Sequence, residues 1–313
     1  MSVIAQLFLF LRKIRTVKKI RTVKKIVTYL CITFSLISFA QSAQYVSPDL
    51  DKNVVYHYII NKKQELVSPK GKFYHQPAYT NEEIEFTYMF NDGKDKIFSW
   101  KVANYEHKHE GQKGCDCDNN QYRKNILVFV RTDSLGRYKT INNLYQVKKN
   151  ILDNISMNEK VLGKKGKEIF QRIKQNPEII ISDIEQDIIN FFRYYGIEKN
   201  IPSITRNTKR TAFPFGVKNI PFRVTLNLEN KEDFVNVILH NEFDRKNAQE
   251  EDYNISRWDK SFNKDKYQLI VDENYEYSKE NSRLLSATVK VKEISNFHEN
   301  GILNYQLSII KKD

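Results

Sequence analysis

"IEFTYMFNDGKDKIFSWKV", residues 84–102, alternates apolar and other side chains on both sides of a short polar break. Ile84, Phe86, Tyr88 and Phe90 share one face of the first half. Phe98, Trp100 and Val102 share one face of the second. Successive side chains of a strand point to opposite faces, so a period of two in aromatic and β-branched residues predicts strands. Asp92-Gly93 lies in the break and accepts the positive φ of a tight turn, which predicts an antiparallel hairpin.

The same pattern continues outward. "VVYHYII", 54–60, places Val54, Tyr56, Tyr58 and Ile60 on one face. "ILVFV", 126–130, is apolar on both faces and predicts a central strand. Residues 41–147 therefore read as a β-rich region. Residues 148–200 read as a helical segment. Its strongest part is "SDIEQDIINFFRYYG", 182–196, with Ile184, Ile188, Phe191, Phe192 and Tyr195 on one stripe at helical spacing. Ser182 and Glu185 have capping-box spacing, and Gly196 is a natural stop. A weaker helix is expected over 166–175, with Ile169, Phe170 and Ile173 inward. Residues 201–313 return to strands at 222–228, 267–277, 286–294 and 302–310, a C-terminal antiparallel meander. Residues 231–244 fit either helix or strand, and 247–266 read as a long polar excursion. The sum is an α+β protein, with antiparallel β-rich N- and C-terminal regions around a central helical segment. Residues 41–313 make up either these three regions or one domain.

The first forty residues carry eight Lys or Arg and no acid, with "KIRTVK" at 13–18 repeated at 19–24. An uncharged apolar run, "IVTYLCITFSLISFA", follows at 26–40. Basic run, apolar run and small residues in sequence describe a signal peptide, 1–40, cut after Ser38-Phe39-Ala40. At 15 residues the apolar run is shorter than the roughly 20 that span a bilayer, so membrane association is expected only through this segment if it stays uncleaved. Export to the periplasm, the cell surface or the medium follows. Without the eight leader residues, 43 basic side chains face 38 acidic ones, a balance of +5. That mild excess excludes the electrostatic footprint of a nucleic-acid binder. The remaining 273 residues are enough for a substantial core.

Catalytic signatures are absent. "VLGKKGKEI", 161–169, resembles the GxxG core of the KH fold, which clamps a nucleic-acid backbone. No strand leads into its first helix and the strong helix begins too soon after it, so a KH module is not assigned. The same glycines are too close together for a P-loop. "DCDNN", 116–120, begins like a calcium loop, but Gln121 and Leu127 replace the required Gly and Glu. One stretch holds metal-binding chemistry: "HKHEGQKGCDCD", 107–118, in a long connection between strands at 97–104 and 126–131. His107, His109, Cys115 and Cys117 together form a His₂Cys₂ set that suits zinc, although the spacing is not a usual one. In an oxidising compartment Cys115 and Cys117 instead suit a disulfide, in a small and strained ring. The third reading is an exposed polar tip without a role. Zinc is thus the one cofactor the sequence suggests. The expected function is an exported binding or structural module with a protein or glycan partner. The alternative is a secreted hydrolase whose catalytic carboxylates the sequence does not pair.

Overall fold

Two sequential runs of strands, separated by helices, join edge to edge in one antiparallel sheet. The computed structural model describes residues 44–68, 70, 73–110, 123–158, 164–201, 203–212, 217–248, 267–294 and 301–312. The expected leader, the segment with Cys115 and Cys117, and most of the polar excursion lie outside the described residues. So do the side chains of Ile169 and Phe170. The first run is β1 (Val55–Val67), β2 (Phe73–Asp92), β3 (Asp95–His109), β4 (Leu127–Thr132) and β5 (Tyr138–Ile141). Then come α1 (Leu144–Asn158), α2 (Lys164–Gln175) and α3 (Glu178–Phe192). The second run is β6 (Ile204–Ala212), β7 (Val217–Asn230), β8 (Phe234–Phe243), β9 (Gln268–Ser278), β10 (Leu284–Ile294) and β11 (Ile302–Lys311). The spatial order is β5-β4-β3-β2-β1-β11-β10-β9-β8-β7-β6.

The two meanders meet where the first and last strands pair, from Tyr58 opposite Lys311 to Val67 opposite Ile302. The expected α+β class holds in part: the antiparallel strands and the central helices are present, but the balance is β-rich. The chain is mostly antiparallel sheet with few helices, and both β regions contribute to the same eleven-stranded sheet. The expected hairpin is present: Asp92 faces Asp95 across a turn in which Gly93 has φ +63°. Glycine occupies that left-handed position without the steric cost a Cβ would bring. Residues 234–243 resolve as strand β8. β4 is not central as expected; it is one strand from the edge. Val128 and Val130 are buried, whereas Leu127 and Phe129 on its other face are half-buried.

The helix α3 carries the core. It begins at Glu178 rather than Ser182. Pro177 at its N-cap already has helical angles (φ −64°, ψ −16°), and Ile180 and Ile181 extend the buried face back by one turn. Proline's fixed φ preorganises a helix start, so the capping box of Ser182 is not used. The apolar stripe is buried as expected: Ile184, Ile188, Phe191 and Phe192 are at most 1 % exposed. Phe191 touches Tyr58 of β1, Phe86 of β2 and Trp100 of β3, with ring centroids 4.9, 4.7 and 5.2 Å apart. Just past the helix, Tyr194 and Tyr195 meet Tyr275 and Tyr277 of β9 at 4.8 and 5.0 Å. Strands β3 and β9 lie five places apart in the sheet, about 24 Å if it were flat at the usual strand spacing. One helix with side chains is only about 10–12 Å wide. The rings of α3 and of the turn that follows it together reach strands of both meanders.

The chain leaves the helix through Gly196, at φ +82°, where an added Cβ would lie 2.7 Å from the Arg137 side chain. It is then clamped by Val46, whose carbonyl accepts from Gly196 N at 2.7 Å and whose amide donates to Ile197 O at 2.8 Å. Replacing Phe192 with Ala leaves a void in the centre of this contact and is expected to cost about 3–5 kcal/mol, measured by a denaturant melt. A change within about 0.5 kcal/mol, the scale of a surface site, would contradict the packing.

Candidate functional site

The inner face of the sheet, the one that meets α3, is apolar through Ile60, Ile84 and Val102 and then changes character. The next inward positions on β1, β2 and β3 are Lys62, Glu82 and Tyr105. Register sets Glu82 opposite Tyr105, with Thr80 opposite His107 one step further along. Asp183 and Asp187, one helical turn apart, present two carboxylates from α3 to the same place. Arg123, just ahead of β4, completes the group. Lys62 Nζ lies 2.7 Å from Asp187 Oδ2 and 3.3 Å from Glu82 Oε1. The Arg123 guanidinium contacts Glu82 Oε2 at 3.0 Å and Asp187 Oδ2 at 2.9 Å, and pairs with Asp183. It also stands over the Tyr105 ring, 5.1 Å from the centroid.

Arg123, Glu82 and Asp187 are at most 2 % exposed, whereas Asp183 is half open to solvent. Three carboxylates against two cations leave this cluster with a net charge of −1 when all are ionised. Burial opposes the charge on Lys62, but Asp187, Glu82 and Asp183 outweigh it and hold the ammonium above its ordinary value. Burial dominates for Asp187 and pushes its carboxyl up to about 6, although Lys62 and Arg123 pull the other way. At the more open Asp183 burial also opposes ionisation, but Arg123, Lys62 and His107 win and hold it below the usual carboxylate range. The cluster thus holds one proton with unusual tenacity and shares the rest of its charge through two cations.

The sequence reading did not assign these five residues. The available signal was phase: Lys62 and Glu82 continue the apolar faces of Tyr56-Tyr58-Ile60 and Ile84-Phe86, where a charge is out of character. His107 and His109 lie on β3 itself, not in the connecting loop, because that strand runs on to His109. Their imidazoles meet at the open end of the cluster, with Nε2 atoms 3.2 Å apart. Thr80 Oγ1 is 2.9 Å from His107 Nδ1. Cys115 and Cys117, the other half of the expected set, lie outside the described residues. Among the described residues no group of three or more His, Cys, Asp or Glu is placed to hold a metal ion.

The opposite, outer face of the sheet is a second surface of interest. No described helix covers it in the centre, and its side chains align into rungs. One rung runs Lys108, Tyr79, Lys63, Gln306, Lys290, Asp272 and His240, each directly opposite the next, across seven strands. A parallel rung of Glu106, Asn81, Asn61 and Ser308 runs beside it. Two adjoining depressions open on this face and share Lys63 and Gln306. Asn81 Nδ2 donates to Asn61 Oδ1 at 2.7 Å, and Lys63 lies 5.7 Å from the centroid of the exposed Tyr79 ring.

The buried carboxyls give stability a distinctive pH dependence. Glu293, on the inner face of β10, is pushed up to about 7 by burial, against a hydrogen bond from Tyr267 that works in the other direction. A carboxyl whose folded pKa is raised binds its proton more tightly in the folded chain than in the unfolded one. Stability from Asp187 and Glu293 is therefore gained as pH falls from about 7 and is complete below the unfolded values near 4. Each contributes up to about 3 kcal/mol across that window. Asp183 has the opposite sign and removes stability below about pH 4. The melting temperature is expected to peak near pH 5, and the rise from pH 8 to 5 should shrink in Asp187→Asn and Glu293→Gln. A melting temperature that falls steadily from pH 8 to 5 would contradict these assignments.

No protein-family model matches the chain, and no curated protein matches it. Among solved structures it is similar to one described as "Lipid-protein interactions in lipovitellin", at 14 % identity and a TM-score of 0.44. That likeness covers 84 % of this chain and 25 % of the other, so the chain spans about a quarter of the length of the lipovitellin chain it matches.

Proposed function

We propose that this protein is an exported binding module whose outer sheet face recognises a glycan. The observation that carries this reading is the seven-strand rung from Lys108 to His240. Its side chains repeat at the strand spacing of about 4.8 Å, close to the length of one sugar ring in a linear chain and longer than the roughly 3.3 Å step of an extended peptide. Amides both donate and accept, as sugar hydroxyls do, and Asn61, Asn81 and Gln306 supply them beside the exposed ring of Tyr79. Lys63 and Lys108 are each paired with a neighbouring glutamate at 2.9 and 2.6 Å, while Lys290 has no ion-pair partner among the described residues. Taken alone, the seven rung residues carry three lysines against Asp272, and those ammonium groups suit a ligand whose carboxylate or sulfate groups displace Glu65 and Glu106 from Lys63 and Lys108. The basic and apolar leader supports placing the module in the periplasm, on the cell surface or outside the cell.

A hydrolase reading has one observation behind it. Asp183 and Asp187, one turn apart, have pKa values driven in opposite directions, the pattern of an acid and base pair. Against it, both carboxylates are already held by Lys62 or Arg123, and proton transfer to a substrate would have to break those bonds.

Titration calorimetry against neutral and acidic oligosaccharides tests the proposal. Binding is expected for acidic chains, with a loss of at least about tenfold (about 1.4 kcal/mol) in Lys63→Ala and in Tyr79→Ala at unchanged melting temperature. Equal binding by these variants, or oligosaccharide cleavage that disappears in Asp187→Asn, would overturn it.

A further inference from the structure

The paired imidazoles at the end of β3 stand at the open end of the ion network, away from the outer face, and their geometry is specific. We propose that His107 and His109 form a two-histidine site for a borderline transition-metal ion such as Zn²⁺, with both Nε2 atoms as ligands. Two nitrogens bound at about 2.05 Å to one tetrahedral metal stand about 3.3 Å apart. The Nε2 atoms of His107 and His109 are 3.2 Å apart. The ring centroids are 4.9 Å apart with the planes at 84°. A straight N–H···N bond at the same nitrogen separation would hold the centroids about 5.5 Å apart. The rings are thus bent off the line between their nitrogens, as two ligands of one ion are.

Three features support a cation here. Alternate residues of a strand share a face, so β3 delivers both rings from a rigid element rather than from a loop. Thr80, directly opposite His107, offers its hydroxyl 2.9 Å from Nδ1. A proton held on Nδ1 by that hydroxyl leaves the Nε2 lone pair for the metal, the usual outer support of a ligating histidine. The cluster of Lys62, Arg123, Glu82, Asp183 and Asp187 lies next to the pair, and its three carboxylates outnumber its two cations, which favours a bound cation. With two protein ligands among the described residues, the remaining coordination positions go to water or to donor groups from elsewhere. That describes an open site, not a closed structural one.

Zinc titration of the whole purified chain, followed by calorimetry and by elemental analysis after gel filtration, is the test. One equivalent of zinc is expected. His107→Ala and His109→Ala should each weaken it at least tenfold, and the double variant should abolish it, with folding monitored by melting temperature. Thr80→Val should weaken binding by a smaller factor, since it removes support rather than a ligand. A Cys115→Ser/Cys117→Ser variant should still take up zinc. The proposal is overturned if the wild-type chain takes up no zinc, or if uptake survives loss of both imidazoles and depends instead on the cysteines.

Discussion

The contact on which the rest of the structure depends is the seating of Phe191 and Phe192 against the inner face of the sheet. Phe191 touches rings from three consecutive strands of the first meander. A few residues later Tyr194 and Tyr195 touch β9 of the second. One short stretch of chain thus reaches both meanders. The inner-face side chains are buried against this stretch, and the outer face is left to its polar rungs. Hydrogen bonds reinforce the same contact: Tyr58 Oη donates to Leu284 O at 3.0 Å, and Leu284 N donates to Tyr195 Oη at 3.1 Å. These bonds tie β1, β10 and the end of the helix together at one buried point.

The two surfaces outside this core carry different chemistry for a physical reason. Where α3 enters the sheet, its flank offers Asp183 and Asp187, and the strands answer with Lys62, Glu82 and Arg123. Buried charges persist only when paired, and removing one partner of such a set costs about 3–5 kcal/mol. The cluster therefore fixes the position of the helix as well as setting the field felt by His107. The outer face has no such demand. Its polar rungs are aligned by strand register alone, which places unlike side chains side by side at a constant spacing. A ladder of this kind presents a repeat, and a repeat is what a polymeric ligand can read.

Much of the fold was legible in the sequence because strands and helices announce themselves by period. The hairpin at Asp92-Gly93, four strands of the second meander and the buried stripe of α3 follow from local patterns, whereas β6 has no clear alternation and β8 fitted helix as well as strand. The start of α3 was misplaced because a capping signal at Ser182 competed with Pro177 and with the burial of Ile180 and Ile181, which only the tertiary structure supplies. The pairing of β1 with β11 was out of reach, since nothing local links residues 58 and 311. The charge cluster was hidden for the same reason: Arg123 and Asp183 are sixty residues apart, and only register and helix placement bring them together. His107 and His109 were legible as a pair, but their place on a strand depended on how far β3 extends.

Native-state hydrogen exchange tests the central claim most directly, namely that α3 and the turn after it hold both meanders in a single cooperative unit. Amides of β2 and β3, of β9 and β10, and of α3 are expected to exchange with one common free energy of opening. In Phe191→Ala all three groups should lose protection by the same amount. Separate opening energies for the two meanders, or a Phe191 substitution felt by β1–β3 alone, would contradict it.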